Sequence, residues 1–278
     1  MAFSAEISRT NPTCLLFLVD QSSSMDGPFG GQPGKKKSEG VADAINRLLQ
    51  NLVLKCAKAD GVRDYFHVGV IGYGDDVGPK LAGTSKDRPL APISAVANNP
   101  IRLEQRKRTV DDGAGGLVEQ TFRFPVWFEP TAGGKTPMNT AVELARETVA
   151  DFIASYPDCF PPLVLNLTDG KPTDANPLDA AVALKGTKST DGNVLLFNAH
   201  LSSSQATPVC FPDQEAAVPE KYGKLLFRMS SILPPKLMAA ACDEGFSIAG
   251  PARGFVFNAD LVAVIRFLDI GTRVSPGR

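Results

Sequence analysis

Histidines, cysteine pairs and long apolar runs are what this sequence has least of, and each shortage removes a class of function. Only His67 and His200 are present. Neither lies in a motif with a serine or cysteine nucleophile, so no Ser-His-Asp or Cys-His arrangement is readable. The five cysteines, Cys14, Cys56, Cys159, Cys210 and Cys242, are scattered, odd in number and without a Cys-x-x-Cys pair, which argues against a zinc site and a disulfide framework. Charge of one sign is also missing. With 29 basic and 30 acidic residues the net charge is −1, so nucleic acid is not the expected partner. No apolar run reaches the ~20 residues of a membrane-spanning helix, and Met1–Thr13 is polar with no apolar signal core. Neither nucleic acid nor a membrane is expected as a partner, and the cytoplasm is the expected location.

What is present is a full complement of core material. A hydrophobic content of 43% in 278 residues suits one large α/β domain or two small ones. Apolar runs at Cys14–Val19, Tyr65–Tyr73, Leu163–Leu167, Val194–Ala199 and Gly254–Phe257 read as strands. Between several of them, apolar residues recur at helical spacing. Val41, Ile45, Leu48, Leu49, Leu52 and Cys56 form one such stripe, with Ser38 as cap and Gly61 as stop. Met138, Ala141, Val142, Ala145, Val149, Phe152 and Ile153 form a second, opened by Thr136 as cap and Pro137 in the first helical position. Asn258 or Asp260 caps a last helix carrying Leu261, Val264, Ile265 and Leu268.

Strands alternating with helices predict a doubly wound, mostly parallel central sheet flanked by helices. No repeat and no linker divides the chain, so one domain over 1–278 is expected, with its core at about 11–272. Two stretches break the alternation. The first, about 74–130, is an insertion with a basic run at Arg102–Arg108, a turn at Asp111–Gly116 and a partly alternating strand at Leu117–Phe128. It reads as an antiparallel edge strand or hairpin whose charges discourage sheet-to-sheet pairing. The second, about 201–253, is proline-rich and loop-rich. The triplet Lys35-Lys36-Lys37 reads as a solvated approach to the first helix.

Chemistry gathers at strand ends. The run Leu15–Val19 ends in Asp20, and Ser22 and Ser24 follow at alternate positions. Strands buried on both faces belong to parallel sheets, where ligands bind at the carboxyl ends. Thr136 stands at a helix start and Asp169 at the end of another buried strand, so all three segments reach the same edge of the sheet. Carboxylate and hydroxyl oxygens of this kind make a hard ligand set suited to Mg2+.

In this order the motifs Asp20-Gln21-Ser22-Ser23-Ser24, Gly133-Gly134-Lys135-Thr136-Pro137-Met138 and Thr168-Asp169-Gly170 resemble the metal-ion-dependent adhesion site of von Willebrand factor A (VWA) domains. The resemblance implies a VWA (Rossmann-like) fold. It also implies a metal-binding role for Asp20, Ser22, Ser24, Thr136 and Asp169, with Mg2+ expected and Mn2+ or Ca2+ as alternatives. In that family the serines bind the cation directly, the aspartates often act through water, and the threonine changes contact when ligand binds. A partner's aspartate or glutamate takes the open position. The motif forms are similar to bacterial VWA proteins associated with tellurite resistance and stress signalling. That implies a protein partner in trans, of the kinase, phosphatase or ATPase class. A binding module with no catalytic residue is therefore expected.

The alternative is a metal-assisted phosphatase or hydrolase using Asp20. Haloacid-dehalogenase-type phosphatases need a second carboxylate two residues after the first, where this chain has Ser22. A nucleotide-binding P-loop around Gly134-Lys135-Thr136 fails because Glu129 stands where its first glycine is needed.

Overall fold

A computed structural model describes residues 3–30, 32–111, 116–205 and 207–271. Its centre is an eight-stranded sheet. In chain order the elements are β1 (Thr13–Asp20), α1 (Lys37–Cys56), β2 (Phe66–Tyr73), β3 (Val77–Pro79), β4 (Ala91–Pro92) and α2 (Ile93–Asn98), then β5 (Arg102–Asp111), β6 (Leu117–Val126), α3 (Met138–Ser155), β7 (Leu163–Thr168) and α4 (Leu178–Gly186). The last third adds β8 (Leu195–Leu201), β9 (Val209–Cys210), α5 (Lys221–Met229), α6 (Pro235–Asp243), β10 (Phe255–Ala259) and α7 (Leu261–Gly271).

Five strands run parallel in the order β10-β8-β7-β1-β2. Antiparallel strands close the edges: β9 on β10, and β3 and β4 on β2. The chain is thus α/β with a mostly parallel sheet between two helical layers. All eight residues of β1 are buried, and the pleat divides them. Leu15, Phe17 and Val19 face the core built with α1, α2, α6 and α7, whereas Cys14, Leu16 and Leu18 face α3, α4 and α5. This alternation is why the strand reads as continuously apolar: polar water lies on neither side.

The insertion forms the antiparallel hairpin expected of it, but away from the edge of the main sheet. Among the described residues β5 and β6 pair only with each other, from Arg102↔Val126 to Asp111↔Leu117, as a hairpin separate from the main sheet. The short strands β3 and β4 cover the sheet edge, and their Pro79 and Pro92 are tolerated because edge strands need fewer amide donors. The expected turn residues 112–115 lie outside the described residues. The root of the hairpin is tied into the body. Asn46 of α1 accepts the amides of Trp127 and Phe128 at 2.8 and 3.1 Å and donates to the Phe128 carbonyl at 2.8 Å. The Trp127 indole donates to the Val96 carbonyl at 2.6 Å. The insertion therefore supplies core residues as well as surface, including Trp127, Phe128, Ile93 and Val96.

Two helix starts also differ. α1 begins at Lys37, with the Glu39 carboxylate accepting the Lys36 amide at 3.3 Å, so Ser38 is a buried residue of the first turn rather than its cap. α3 begins at Met138, after Pro137, and Thr136 does not cap it. At α7 the expectation holds for Asp260, whose carboxylate accepts the Ala263 amide at 2.8 Å.

Candidate metal site at the carboxyl edge of the sheet

The chain passes from β1 outward through α1 to β2, then returns to the opposite side of β1 as β7. The order reverses between β1 and β7, and such a switch point leaves a crevice at the carboxyl ends of the strands. Asp20 ends β1, and Asp169 follows directly after β7.

Short hydrogen bonds join these ends. The Ser22 amide donates to Asp20 Oδ1 at 2.8 Å, and Thr168 Oγ1 donates to Asp20 Oδ2 at 2.6 Å. Ser22 Oγ and Ser24 Oγ are 3.0 Å apart, and Ser24 Oγ donates to Asp169 Oδ1 at 2.6 Å. The loop carrying Thr136 is sewn to the β1 loop: the Gly133 amide donates to the Gln21 carbonyl at 2.7 Å, and the Ser23 amide to the Gly134 carbonyl at 3.2 Å. Gly134 has φ +72°, and a Cβ there would stand 2.4 Å from Asp75 Oδ1. Both the backbone conformation and the close approach require glycine at that position.

Thr136 is free for another task because a different residue caps α3. Asp174 accepts the Asn139 and Thr140 amides at 3.2 and 2.9 Å, and the Thr140 hydroxyl at 3.0 Å. Burial alone would raise the Asp174 carboxyl, but the amide bonds from Thr140, Ala175 and Asn139 outweigh it and hold it below the usual range. Its capping contribution is therefore present above the ordinary carboxylate pKa and is lost as pH falls through the lowered value. Asp174→Ala is expected to cost about 1 kcal/mol through the lost cap. Thr136→Val should leave the thermal midpoint nearly unchanged. Thermal denaturation of the two variants side by side checks this; a larger loss in Thr136→Val would mean that its hydroxyl serves the helix after all.

The five expected residues come together. A Cβ built on Gly170 would lie 3.7 Å from Thr136 Oγ1, 3.8 Å from Ser24 Oγ and 3.9 Å from Asp20 Oδ2. Three oxygens, two from the β1 loop and one from the Thr136 loop, thus lie within 4 Å of one point on the β7 loop where the chain has no side chain. Thr136 Oγ1 has no hydrogen-bond partner among the described residues. Burial pushes the Asp20 carboxyl up to about 6, against hydrogen bonds from Ser22 and Thr168 that pull it down, with Asp169 adding a small rise. A buried carboxylate with hydrogen bonds but no ion pair among the described residues, and with neutral hydroxyls beside it, fits a small hard cation.

Two neighbours were not legible in the motif. Lys37, read as part of a solvated triplet, is instead buried: its ammonium lies 2.5 Å from Asp169 Oδ2 and 2.5 Å from Ser203 Oγ, with both ion-pair side chains only 2% exposed. Two carboxylates against one ammonium leave the site one net negative charge. His200 sits in register with Thr168 on β8, stacked on Phe257 at 4.7 Å. Its Nδ1 is buried with no hydrogen-bond partner among the described residues, and burial lowers its pKa, which favours the neutral ring. Position relative to the strand end is the only signal that could have pointed to His200. His67 packs between Phe152 and Tyr156, 5.4 Å from each ring, as its place within a strand suggests.

Beneath the site a polar chain crosses the sheet. The Tyr73 hydroxyl donates to Asn166 Oδ1 at 2.6 Å, Asn166 to Asn198 Oδ1 at 2.9 Å, and Asn198 to Ser230 Oγ at 2.9 Å, at the end of α5. These fully buried groups satisfy one another and fix the relative placement of β2, β7, β8 and α5.

Comparison of the sequence with protein-family models and with curated proteins finds no match. Among solved structures, the chain is similar to the PilB minor pilin from Streptococcus sanguinis, at 12% identity and a TM-score of 0.50, over 98% of this chain and 62% of that one. It is also similar to the vWF domain of the type V pili tip protein Mfa5 from Porphyromonas gingivalis, at 14% identity and a TM-score of 0.32, over 59% of this chain and 39% of that one. The chain thus spans less than two thirds of each of these structures. At such identities the PilB likeness concerns the fold alone. Among the described residues, no helix is long and apolar enough to cross a membrane.

Proposed function

We propose that this chain is a VWA-like, metal-dependent protein-binding module, with Asp20, Ser22, Ser24, Thr136 and Asp169 as its metal-ion-dependent adhesion site. One observation carries the reading: hydroxyl and carboxylate oxygens from the β1 loop and the Thr136 loop converge beside Gly170, Ser24 also bonds Asp169 there, and the Thr136 hydroxyl is excused from helix capping by Asp174. The set favours Mg2+, with Mn2+ as a close substitute. When bound, the cation offers a Lewis-acidic position to a carboxylate from a partner. The residues' own tasks are separate. Ser22 and Ser24 present neutral oxygens, Asp20 supplies charge, and the Gly133-Gly134 loop holds Thr136 against the β1 loop. The partner is an acidic protein surface acting in trans, in a bacterial stress-response or signalling complex with a kinase, phosphatase or ATPase. That last step rests on the motif resemblance. Binding is favoured over hydrolysis because Ser22 occupies the position where a phosphatase of the alternative type needs its second carboxylate.

Calorimetric titration of chelator-treated protein should give one Mn2+ per chain. Water proton relaxation enhanced by the bound Mn2+ should fall when an acidic peptide is added. Failure to retain Mn2+ at millimolar concentration would overturn the reading. So would phosphatase turnover that Asp20→Asn abolishes.

A further inference from the structure

A groove of about 750 Å³ opens beside the site, between the segment 171–178 and α5. It starts where the site ends: Lys171 follows Gly170, and Thr173 exchanges hydrogen bonds with Thr136, its Oγ1 accepting the Thr136 amide at 2.9 Å and its amide reaching the Thr136 carbonyl at 3.0 Å. The groove wall and the Thr136 loop are therefore one stitched unit. Lys171 and Lys221 are exposed and Lys224 is half-buried, and among the described residues none of the three has an ion pair. The two other charged groups in the lining are committed elsewhere. Asp174 caps α3, and Arg228 is held by Glu215 through two 2.7 Å bonds. Between the lysines lie apolar surfaces, Leu178 and Leu225, and Tyr222, whose ring centroid is 5.8 Å from the Lys171 ammonium.

We propose that this groove binds an extended acidic segment of the protein partner, continuing from the carboxylate anchored at the metal site. The inference rests on the metal-dependent reading above for its anchor, and on its own charges for the rest. Three ammonium groups without ion pairs among the described residues line one trough, in a chain of net charge −1, and make a local cationic track that complements successive carboxylates. The leucine and tyrosine surfaces give such a segment apolar contact and water exclusion, which is where binding energy concentrates.

The test uses a fluorescein-labelled octaglutamate peptide and the full chain, read by fluorescence anisotropy. With Mg2+ the wild type should bind, and Lys221→Glu/Lys224→Glu should weaken binding at least tenfold while Mg2+ affinity by calorimetry stays within threefold. Lys171→Glu provides an independent variant should the double one lose its circular-dichroism spectrum. Unchanged peptide affinity in a folded variant overturns the groove, whatever chelator does. Loss of affinity in the lysine variants with no effect of chelator supports the groove and sinks the metal anchor instead. Octathymidylate binding as tightly as the peptide overturns the acidic-segment assignment in favour of nucleic acid.

Discussion

Asp20→Asn is expected to abolish divalent-cation binding and at the same time to stabilise the metal-free protein at neutral pH. The two effects share one cause. Asp20 is fully buried at the end of β1, and burial raises its carboxyl to about 6. The unfolded chain has an ordinary aspartate near 3.9. The folded pKa lies above the unfolded one, so the wild-type protein without metal is most stable, as far as this group is concerned, below about pH 4. That stability is lost as pH rises through about 6. At pH 7.5 the ionised carboxylate costs on the order of 3 kcal/mol. Asparagine keeps an acceptor for the Ser22 amide and removes the charge, so most of that cost should disappear, as a rise of several degrees in thermal midpoint in chelator. The rise should shrink as pH is lowered from 7 towards 4. In Mg2+ the ranking should reverse, because only the wild type gains from ligation. An Asp20→Asn protein that is less stable than wild type in chelator at pH 7.5, or that still binds Mn2+, would show that Asp20 serves the fold and not a cation.

Much of this was readable in advance, for identifiable reasons. β1 and β7 are apolar on both faces because helices cover both, and a strand of that kind announces its own ends. Asp20 and Asp169 stand at those ends in the sequence as they do in space. Thr136 was placed correctly for a reason only half right. Thr-Pro before an apolar stripe does mark a helix start, but the capping role went to Asp174, 38 residues further along, and no local pattern reveals a long-range cap. The hairpin β5–β6 read as a sheet edge because strand periodicity reports one covered face without saying what covers it. Here α1 and the root at Asn46 do, with Arg106 lying 3.5 Å over the Phe124 ring and pairing with Asp43 at 2.5 Å. Asn166 and Asn198 sit unannounced inside apolar runs, since each is satisfied by a residue from another strand or helix.

Lys37 is the residue that sequence logic placed worst, and replacing it should make the protein more dependent on metal. In a run of three lysines the default is solvent, yet the start of α1 points Lys37 into the site while Lys36 stays exposed and pairs with Asp26 at 2.6 Å. The Lys37 ammonium neutralises Asp169 where little water reaches. Lys37→Met keeps the length and packing of the stem and removes the charge. In chelator this strands the Asp169 carboxylate, still bonded to Ser24 but without its counter-charge. Breaking a buried pair on one side costs about 3–5 kcal/mol, a fall of roughly 10 °C for a chain of this size. A divalent cation should then restore what the lysine had supplied. The variant is expected to bind Mg2+ more tightly than wild type, since the ammonium no longer repels it, and to recover most of its thermal midpoint in saturating Mg2+. The wild type, with its built-in cation, should show the smaller metal-induced shift. Thermal denaturation with and without Mg2+, together with calorimetric Mg2+ titration, separates this from simple damage. Equal destabilisation in both conditions would make Lys37 a packing residue. A metal-rescued Lys37→Met would make it the internal cation that keeps the empty site folded and holds metal affinity low enough for a partner's carboxylate to decide the outcome.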